Sequence, residues 1–261
     1  MNARRIYGVI LRHLYLLRRS YDKMVDSFYW ITLDLIIWGI TGLYFQQLTA
    51  DSKQIIFMII SGVILWNITY RAQSDISLGL IEELWNWNLI NLFVSPLTFI
   101  EWVIALVALG AVKSVMSFLF GALVAFILYK VGIFFLSIHL LFFMILLLMT
   151  GWWLGFTVSA IVLRYGTRVQ TLAWTLVWLI SPLSAIYYPL SILPVWVQKI
   201  AMFVPTSYVF EEGRNLLYNG IVDYNKLLIS FGLNGLYLVL SIIFLRNSFD
   251  SVLKKGLVKV F

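Results

Sequence analysis

Several long apolar runs constrain the fold of this chain most strongly. Hydrophobic residues make up 62% of the sequence and charged residues 12%, whereas a soluble domain has roughly 45–50% apolar and about 25% charged residues. The runs predict an all-α polytopic membrane protein with a single transmembrane domain over residues 1–261. Helices are expected because each one forms its own backbone hydrogen bonds in the lipid, where no water is present to form them. Six membrane-spanning helices are predicted, at residues 27–47, 55–73, 102–129, 132–162, 169–189 and 227–245.

The basic residues indicate how these helices are oriented. With the N-terminus inside the cell, thirteen lysines and arginines fall in inner segments and five in outer segments. Because positively charged segments favour the cytoplasmic side, we expect a multi-pass protein of the plasma (inner) membrane with both termini cytoplasmic. This bias explains the net charge of +7, so the lipid bilayer is expected as a partner and nucleic acid is not.

Residues 4–23 are predicted to form an amphipathic helix. On a helical wheel, Arg5, Arg12, Arg19 and Lys23 fall on one stripe, and apolar side chains fall nearly opposite. A basic amphipathic helix suits the anionic inner surface of a membrane. We therefore expect this segment to lie on the cytoplasmic face.

Residues 181–214 contain four of the five prolines of the chain. Proline removes a backbone donor and interrupts a helix, so the apolar pieces between these prolines are too short to cross a bilayer. Irregular backbone at membrane depth is tolerated where protein buries it or where it lines a cavity. We predict a re-entrant hairpin on the outer side, over residues 190–214, that enters the membrane and returns.

The segment between the second and third spans, residues 74–100, is acidic and rich in tryptophan and asparagine. Side chains from Leu80 to Asn91 follow helical spacing, which predicts a short helix on the cytoplasmic surface at residues 80–94. A Ser-Pro pair after this helix indicates its end. Such a loop is typical of a docking surface for another protein.

The sequence has no motif for catalysis or nucleotide binding. It lacks a phosphate-binding glycine loop, HExxH and GxSxG, which are the signatures of several large enzyme classes. Glu211 and Glu212 are adjacent, but neighbouring residues on a helix point about 100° apart, so they are not expected to act as a pair. We predict no catalytic residue, no cofactor and no metal site, and therefore no enzyme activity in this chain.

Aromatic and ionisable side chains occur inside the predicted spans. Trp30, Trp66 and Tyr70 lie near span ends, which is typical of an interfacial aromatic belt. Asp34 and Lys113 lie within spans, where ionisable side chains are costly unless they pair or face a cavity. Deeper tryptophans are Trp38, Trp174 and Trp178. Two interpretations stay open for these tryptophans: packing between helices, or lining a path for substrate.

Two motifs resemble the membrane subunit of type-2 ATP-binding-cassette (ABC) exporters, a family that includes permeases for O-antigen, teichoic acid, capsule glycans and daunorubicin-like drugs. The outer stretch resembles the family pattern at Pro189, Leu193-Pro194, Trp196, Pro205, Tyr208 and Arg214. The inner loop resembles the family's coupling region at Glu82, Glu83, Leu84 and Ser95-Pro96-Leu97. Length, number of spans and orientation are similar along the whole chain.

The resemblance implies a partner and a division of labour. Two permease copies, identical or paralogous, would join two ABC ATPase subunits. Residues implied to contact the ATPase, on a coupling helix at 80–94, are Glu82, Glu83, Leu84, Trp85 and Trp87. Residues implied to form an outer gate are Tyr187, Tyr188, Pro189, Pro194 and Trp196. Residues expected on the substrate path are Asp34, Trp38, Trp174 and Trp178.

We therefore expect an export permease for an amphipathic substrate, either a lipid-linked glycan or a hydrophobic drug-like molecule. A separate subunit would hydrolyse ATP. The alternative is an ion-coupled secondary transporter that uses Asp34 and Lys113 as a relay. An integral-membrane enzyme acting on lipids would need histidine or aspartate clusters at an interface, which the sequence lacks.

Overall fold

A computed structural model describes residues 2–48, 52–86 and 95–255 of the chain. Over these ranges the backbone forms nine α-helices, short 3₁₀ helices and turns, without a β-strand. The α-helices are α1 (Ala3–Arg19), α2 (Tyr21–Leu48), α3 (Ser52–Trp85), α4 (Phe99–Tyr129), α5 (His139–Tyr165), α6 (Leu172–Ile180), α7 (Val195–Ala201), α8 (Pro205–Asn219) and α9 (Tyr224–Lys255). The predicted all-α class is confirmed.

Five of the described helices are long and apolar enough to cross a bilayer, which supports a membrane protein. They are Met24–Leu48 within α2, Gln54–Trp85 within α3, Phe99–Tyr129, His139–Tyr165 and Tyr224–Val252 within α9. These helices overlap five of the six predicted spans. The six-span topology, its orientation and the re-entrant hairpin stay predictions.

The region predicted as the fifth span, residues 169–189, folds as shorter pieces. α6 has nine residues and is about 14 Å long. A 3₁₀ helix, Ser181–Ser184, follows it and has a proline in its first turn. Ala185 then adopts a left-handed conformation with φ of 57°, which ends helical geometry. The proline and the left-handed residue explain why no long helix forms here.

α3 is the central helix of the bundle and the most buried of the five long helices. It packs against α2, α4 and α5. Gly151 and Gly155 of α5 let the two helices approach closely, since a Cβ atom at Gly151 would lie 2.7 Å from the Thr69 carbonyl oxygen. At Gly155 it would lie 3.0 Å from the Gln73 carbonyl oxygen. Small residues four apart commonly mediate such close packing in membranes.

α3 is also longer than predicted, because it continues from residue 73 to Trp85 without interruption. Gln73, a polar residue at the predicted span end, is buried. Its Nε2 donates hydrogen bonds to the Ser77 hydroxyl (2.8 Å) and to the Ala173 carbonyl oxygen (3.0 Å). Contacts with α6 therefore keep this polar part of α3 inside the bundle. The start of the predicted 80–94 helix forms the last turns of α3.

α1 ends four residues earlier than predicted, because Ser20 has an extended backbone that separates it from α2. The basic stripe of α1 contacts the rest of the chain. Arg5 donates a hydrogen bond of 2.6 Å to the Pro96 carbonyl oxygen, and Arg12 forms a salt bridge of 2.6 Å with Glu83 at the end of α3. These contacts attach α1 to both ends of the predicted coupling region.

Candidate functional site

A cavity of about 290 Å³ lies between α2, α3 and α6. Its wall is mainly aromatic and includes Trp30, Trp66, Tyr70, Trp174, Trp178 and Tyr187. Leu33, Asp34, Val63 and Asn67 complete it. We call this space the aromatic cavity.

The aromatic cavity forms where one face of each of three helices converges. On α3 the lining positions recur every three or four residues over 63–70. α2 contributes Trp30 and Asp34 with the same spacing, and α6 contributes Trp174 and Trp178. Residues three or four apart share one face of a helix, so ordinary helical periodicity places these side chains around one space.

Asp34 provides the charge of the aromatic cavity. Its side chain is partly buried, and within the described ranges its carboxylate makes no hydrogen bond or salt bridge. Among the residues described, no lysine, arginine or histidine lines the cavity. When it is ionised, the Asp34 carboxylate gives this mainly apolar space a negative charge that none of the described lining side chains neutralises.

Two polar groups of α3 also line the aromatic cavity. The Ser117 hydroxyl donates a hydrogen bond of 2.7 Å to Asn67 Oδ1, which orients the amide. Trp66 is buried, and its Nε1–H has no acceptor in the described part of the chain. A buried donor without an acceptor is costly, so this indole is a strained feature of the cavity wall.

The structure brings the residues predicted for the substrate path close together. Asp34, Trp174 and Trp178 all line the aromatic cavity. Trp38 stacks on Tyr187, which lines the same cavity, with ring centroids 4.0 Å apart. Their placement agrees with a common site, and their role in transport stays a prediction.

The other residues predicted for the outer gate follow Tyr187 in the chain. The Tyr188 hydroxyl donates a hydrogen bond of 2.9 Å to the Pro182 carbonyl oxygen. Pro189 and Pro194 have extended backbone on either side of a short 3₁₀ helix. Trp196 on α7 is 68% exposed. Their role as a gate stays a prediction.

α8 holds this proline-broken segment in place. Arg214 donates a hydrogen bond of 2.6 Å to the Ala185 carbonyl oxygen and one of 2.7 Å to Glu211. The same Glu211 carboxylate oxygen accepts a hydrogen bond of 2.7 Å from the Leu190 backbone N–H. Glu211 and Arg214 therefore fix the path of the chain on both sides of Tyr187.

Glu212 has different partners from Glu211, although the two residues are adjacent. It is fully buried, forms a salt bridge of 2.7 Å with Lys226 and accepts a hydrogen bond of 2.8 Å from the Asp223 backbone N–H. It therefore joins α8 to the start of α9. The two carboxylates face different parts of the chain, so they do not form a paired acid site.

The residues predicted to contact an ATPase have mixed environments at the end of α3. Glu83 and Leu84 are buried within the chain, and Glu82 is partly buried. Trp85 is 50% exposed. Trp87 lies outside the described residues. Among the predicted residues that are described, Trp85 is the one most accessible to a partner.

A second, polar cavity of about 360 Å³ lies near the end of the bundle for which a cytoplasmic position is predicted, and Lys113 and Glu82 are among its lining residues. Arg71 forms salt bridges with Asp26 (3.0 Å) and Asp75 (3.2 Å), and Lys113 pairs with Asp75 at 3.1 Å. Lys113 therefore has a carboxylate partner. Because Asp34 lines the aromatic cavity instead, the two residues of the predicted ion relay line different cavities.

The sequence interpretation missed part of the aromatic cavity. The sequence pattern of Trp30, Trp66 and Tyr70 is typical of an interfacial belt, and no sequence feature singles out Asn67. A signal was available on α3, because Tyr70 follows Asn67 by three residues and Trp66 by four, which places it on the same face as both. Their position opposite α6 depends on tertiary packing.

Comparisons with protein-family models and with curated proteins give no match for this chain. The family resemblance therefore depends on the motifs and the predicted topology.

Proposed function

We propose that this chain is the membrane subunit of an ATP-driven exporter of the type-2 ABC kind. Two copies, or one copy and a related paralogue, would form the path through the plasma membrane. A separate ABC ATPase would bind at the cytoplasmic end of α3. The aromatic cavity would hold part of an amphipathic substrate on its way outward.

The observation that carries this proposal is the continuity of α3. One uninterrupted helix carries the cavity residues Trp66 and Tyr70 and, at its end, the exposed Trp85. Tyr70 and Trp85 are about 22 Å apart along the axis, at about 1.5 Å per residue. A partner that displaces the Trp85 end of α3 would therefore also displace the cavity wall. The surrounding bundle would keep α3 rigid, so that the helix transmits this movement.

The second support is the arrangement at the other end of the aromatic cavity. Tyr187 belongs both to the cavity wall and to the proline-broken segment. That segment is fixed to α8 through Arg214 and Glu211. A shift of α3 and α2 relative to α8 would change the contact at Tyr187, which suits a gate between the cavity and the outer side.

Energy for this cycle would come from the ATPase subunit. ATP can shift the equilibrium between two conformations only by its difference in affinity for them. Closure of two ATPase subunits around ATP would supply that difference, and the end of α3 would transmit it. The chain itself contributes the path and the mechanical link.

Co-purification with an ABC ATPase tests the proposal. The chain and the ATPase encoded nearest to it are co-expressed, purified in detergent and reconstituted into lipid nanodiscs. We expect a stable complex whose ATP hydrolysis differs from that of the ATPase alone. Trp85→Ala should weaken assembly, whereas Tyr165→Ala, which removes an aromatic side chain exposed at the end of α5, should not. Absence of any complex with the ATPase would overturn the proposal.

A further inference from the structure

We propose that the aromatic cavity selects an organic cation, such as an amine or quaternary ammonium group on an apolar body. The identification of this molecule as the exported cargo rests on the proposed function. The binding preference itself depends on the charge and shape of the cavity, which can be tested without an ATPase.

The charge of the cavity wall is the first reason. Asp34 is partly buried and, within the described ranges, has no hydrogen-bond or salt-bridge partner. Carboxylates inside membrane proteins usually pair with a positive group or face a wet cavity. Because no basic residue is present among the described lining residues, a positively charged ligand would form the ion pair with Asp34. An anionic group, such as the diphosphate of a lipid-linked glycan, would be repelled.

The aromatic wall is the second reason. Six of the lining side chains are tryptophan or tyrosine, and their faces attract cations, with tryptophan the best of them. Sites that recognise quaternary ammonium groups are commonly built as cages of such rings. The aromatic wall and the Asp34 carboxylate therefore both favour a cation.

The size and polarity of the cavity narrow the ligand further. A volume of about 290 Å³ is near the lower end of small-molecule sites, which span roughly 300–1,000 Å³. The cavity therefore suits one ammonium group with a ring or short apolar chain. A neutral sugar is the competing ligand, because it also stacks on aromatic rings, but it gains no charge attraction from Asp34.

Replacing Asp34 by asparagine distinguishes binding of an organic cation from binding of a neutral sugar. Asparagine keeps the size of the side chain and can still hydrogen-bond a sugar, but it removes the charge. Asp250→Asn is the matched control, since Asp250 is an exposed acid near the end of α9 and its replacement makes the same change in net charge. Circular dichroism and gel filtration establish that each variant is folded.

The measurement is equilibrium binding of radiolabelled benzyltrimethylammonium to the chain alone in nanodiscs. Competition uses choline, its neutral shape analogue 3,3-dimethylbutan-1-ol, and methyl glucoside. We expect choline to compete, the neutral alcohol and the sugar to compete at least about tenfold less well, and Asp34→Asn to weaken binding at least about tenfold. Trp178→Ala should weaken binding, and Asp250→Asn should leave it unchanged.

Several results would overturn the inference. These are no saturable binding by the wild-type chain at millimolar ligand, equal binding by Asp34→Asn, or equal competition by the neutral alcohol. Preferential competition by methyl glucoside would assign the cavity to a sugar instead. Because no ATPase is present, these outcomes leave the export proposal standing, while failure to assemble with an ATPase would leave the binding result intact.

Discussion

The indole of Trp38 stacks on the phenol ring of Tyr187, with ring centroids 4.0 Å apart and an angle of 13° between the ring planes. Trp38 belongs to α2, and Tyr187 belongs to the proline-broken segment that follows α6. The stack therefore connects a long helix directly to an irregular segment at the edge of the aromatic cavity. A rearrangement that opens the cavity toward this segment would have to break or slide this contact.

Trp38→Ala and Tyr187→Ala should each destabilise the protein, and their effects should not add. Aromatic pairs contribute about 0.5–1.5 kcal/mol beyond the area they bury, so a double-mutant cycle should give a coupling energy in that range. Unfolding in mixed detergent–SDS micelles measures it. Trp196→Ala is the control, because Trp196 is 68% exposed. Strict additivity of the two substitutions would show that the rings do not stack in the folded protein.

Arg214→Gln should loosen the proline-broken segment. The guanidinium donates to the carbonyl oxygen of Ala185 at 2.6 Å, and Ala185 is the residue that adopts a left-handed conformation. Loss of this charged hydrogen bond should lower the free energy of unfolding by about 2 kcal/mol. Lys199→Gln makes the same charge change at an exposed position of α7 and should stay within about 0.5 kcal/mol of wild type. Equal destabilisation by both variants would contradict the anchoring role of Arg214.

Gly151→Ala should separate α3 from α5. The added methyl group would lie 2.4 Å from the Ala72 Cβ atom and 2.7 Å from the Thr69 carbonyl oxygen, so the backbones have to move apart. Overpacking of this kind costs about 1–3 kcal/mol. Gly232→Ala on α9 meets no atom within 4 Å and should be neutral or stabilising, because alanine favours a helix. Comparing the two melting temperatures in detergent checks the prediction, and a tolerated Gly151→Ala would argue against the close contact.

The long apolar runs were sufficient to predict the helical class and most of the long helices. Length and composition determine which segments can cross a bilayer. The predicted fifth span nevertheless ran through Pro182 and through Ala185, whose left-handed backbone has no sequence signal. The exact ends of the helices were harder to predict. For example, α3 continues past Gln73, whose side chain donates hydrogen bonds to Ser77 and to a carbonyl oxygen of α6. That partner is distant in sequence and follows from tertiary packing.

Only part of the candidate site could be predicted from the sequence, because the rest depends on tertiary packing. A carboxylate within a membrane span carries a free-energy cost at any depth. The sequence alone therefore identifies Asp34 as a residue that needs a cavity or a partner. Trp66 and Tyr70 resemble belt residues, because an aromatic side chain near a span end has the same pattern in both roles. The burial of Glu83 beside Arg12 was also not predictable, since it depends on how α1 packs against α2 and α4.

The central claim, that ATP bound to a partner moves the aromatic cavity through α3, is tested most directly by a fluorophore in that cavity. The chain has no cysteine, so Leu33→Cys provides a single labelling site at the cavity wall. Gly79 lies between Tyr70 and Trp85 on α3, and a Cβ atom there meets nothing within 4 Å. Gly79→Pro should interrupt the helix, whereas Gly79→Ala should preserve it.

In the labelled complex with the ATPase, we predict that ATP changes the fluorescence of the Leu33→Cys protein and of its Gly79→Ala derivative. The Gly79→Pro derivative should assemble and hydrolyse ATP but show at most a small change at the cavity. A fluorescence signal that does not change with ATP but changes with a proton gradient would contradict the account and favour an ion-coupled transporter. An unchanged ATP response in Gly79→Pro would show that α3 is not the mechanical link.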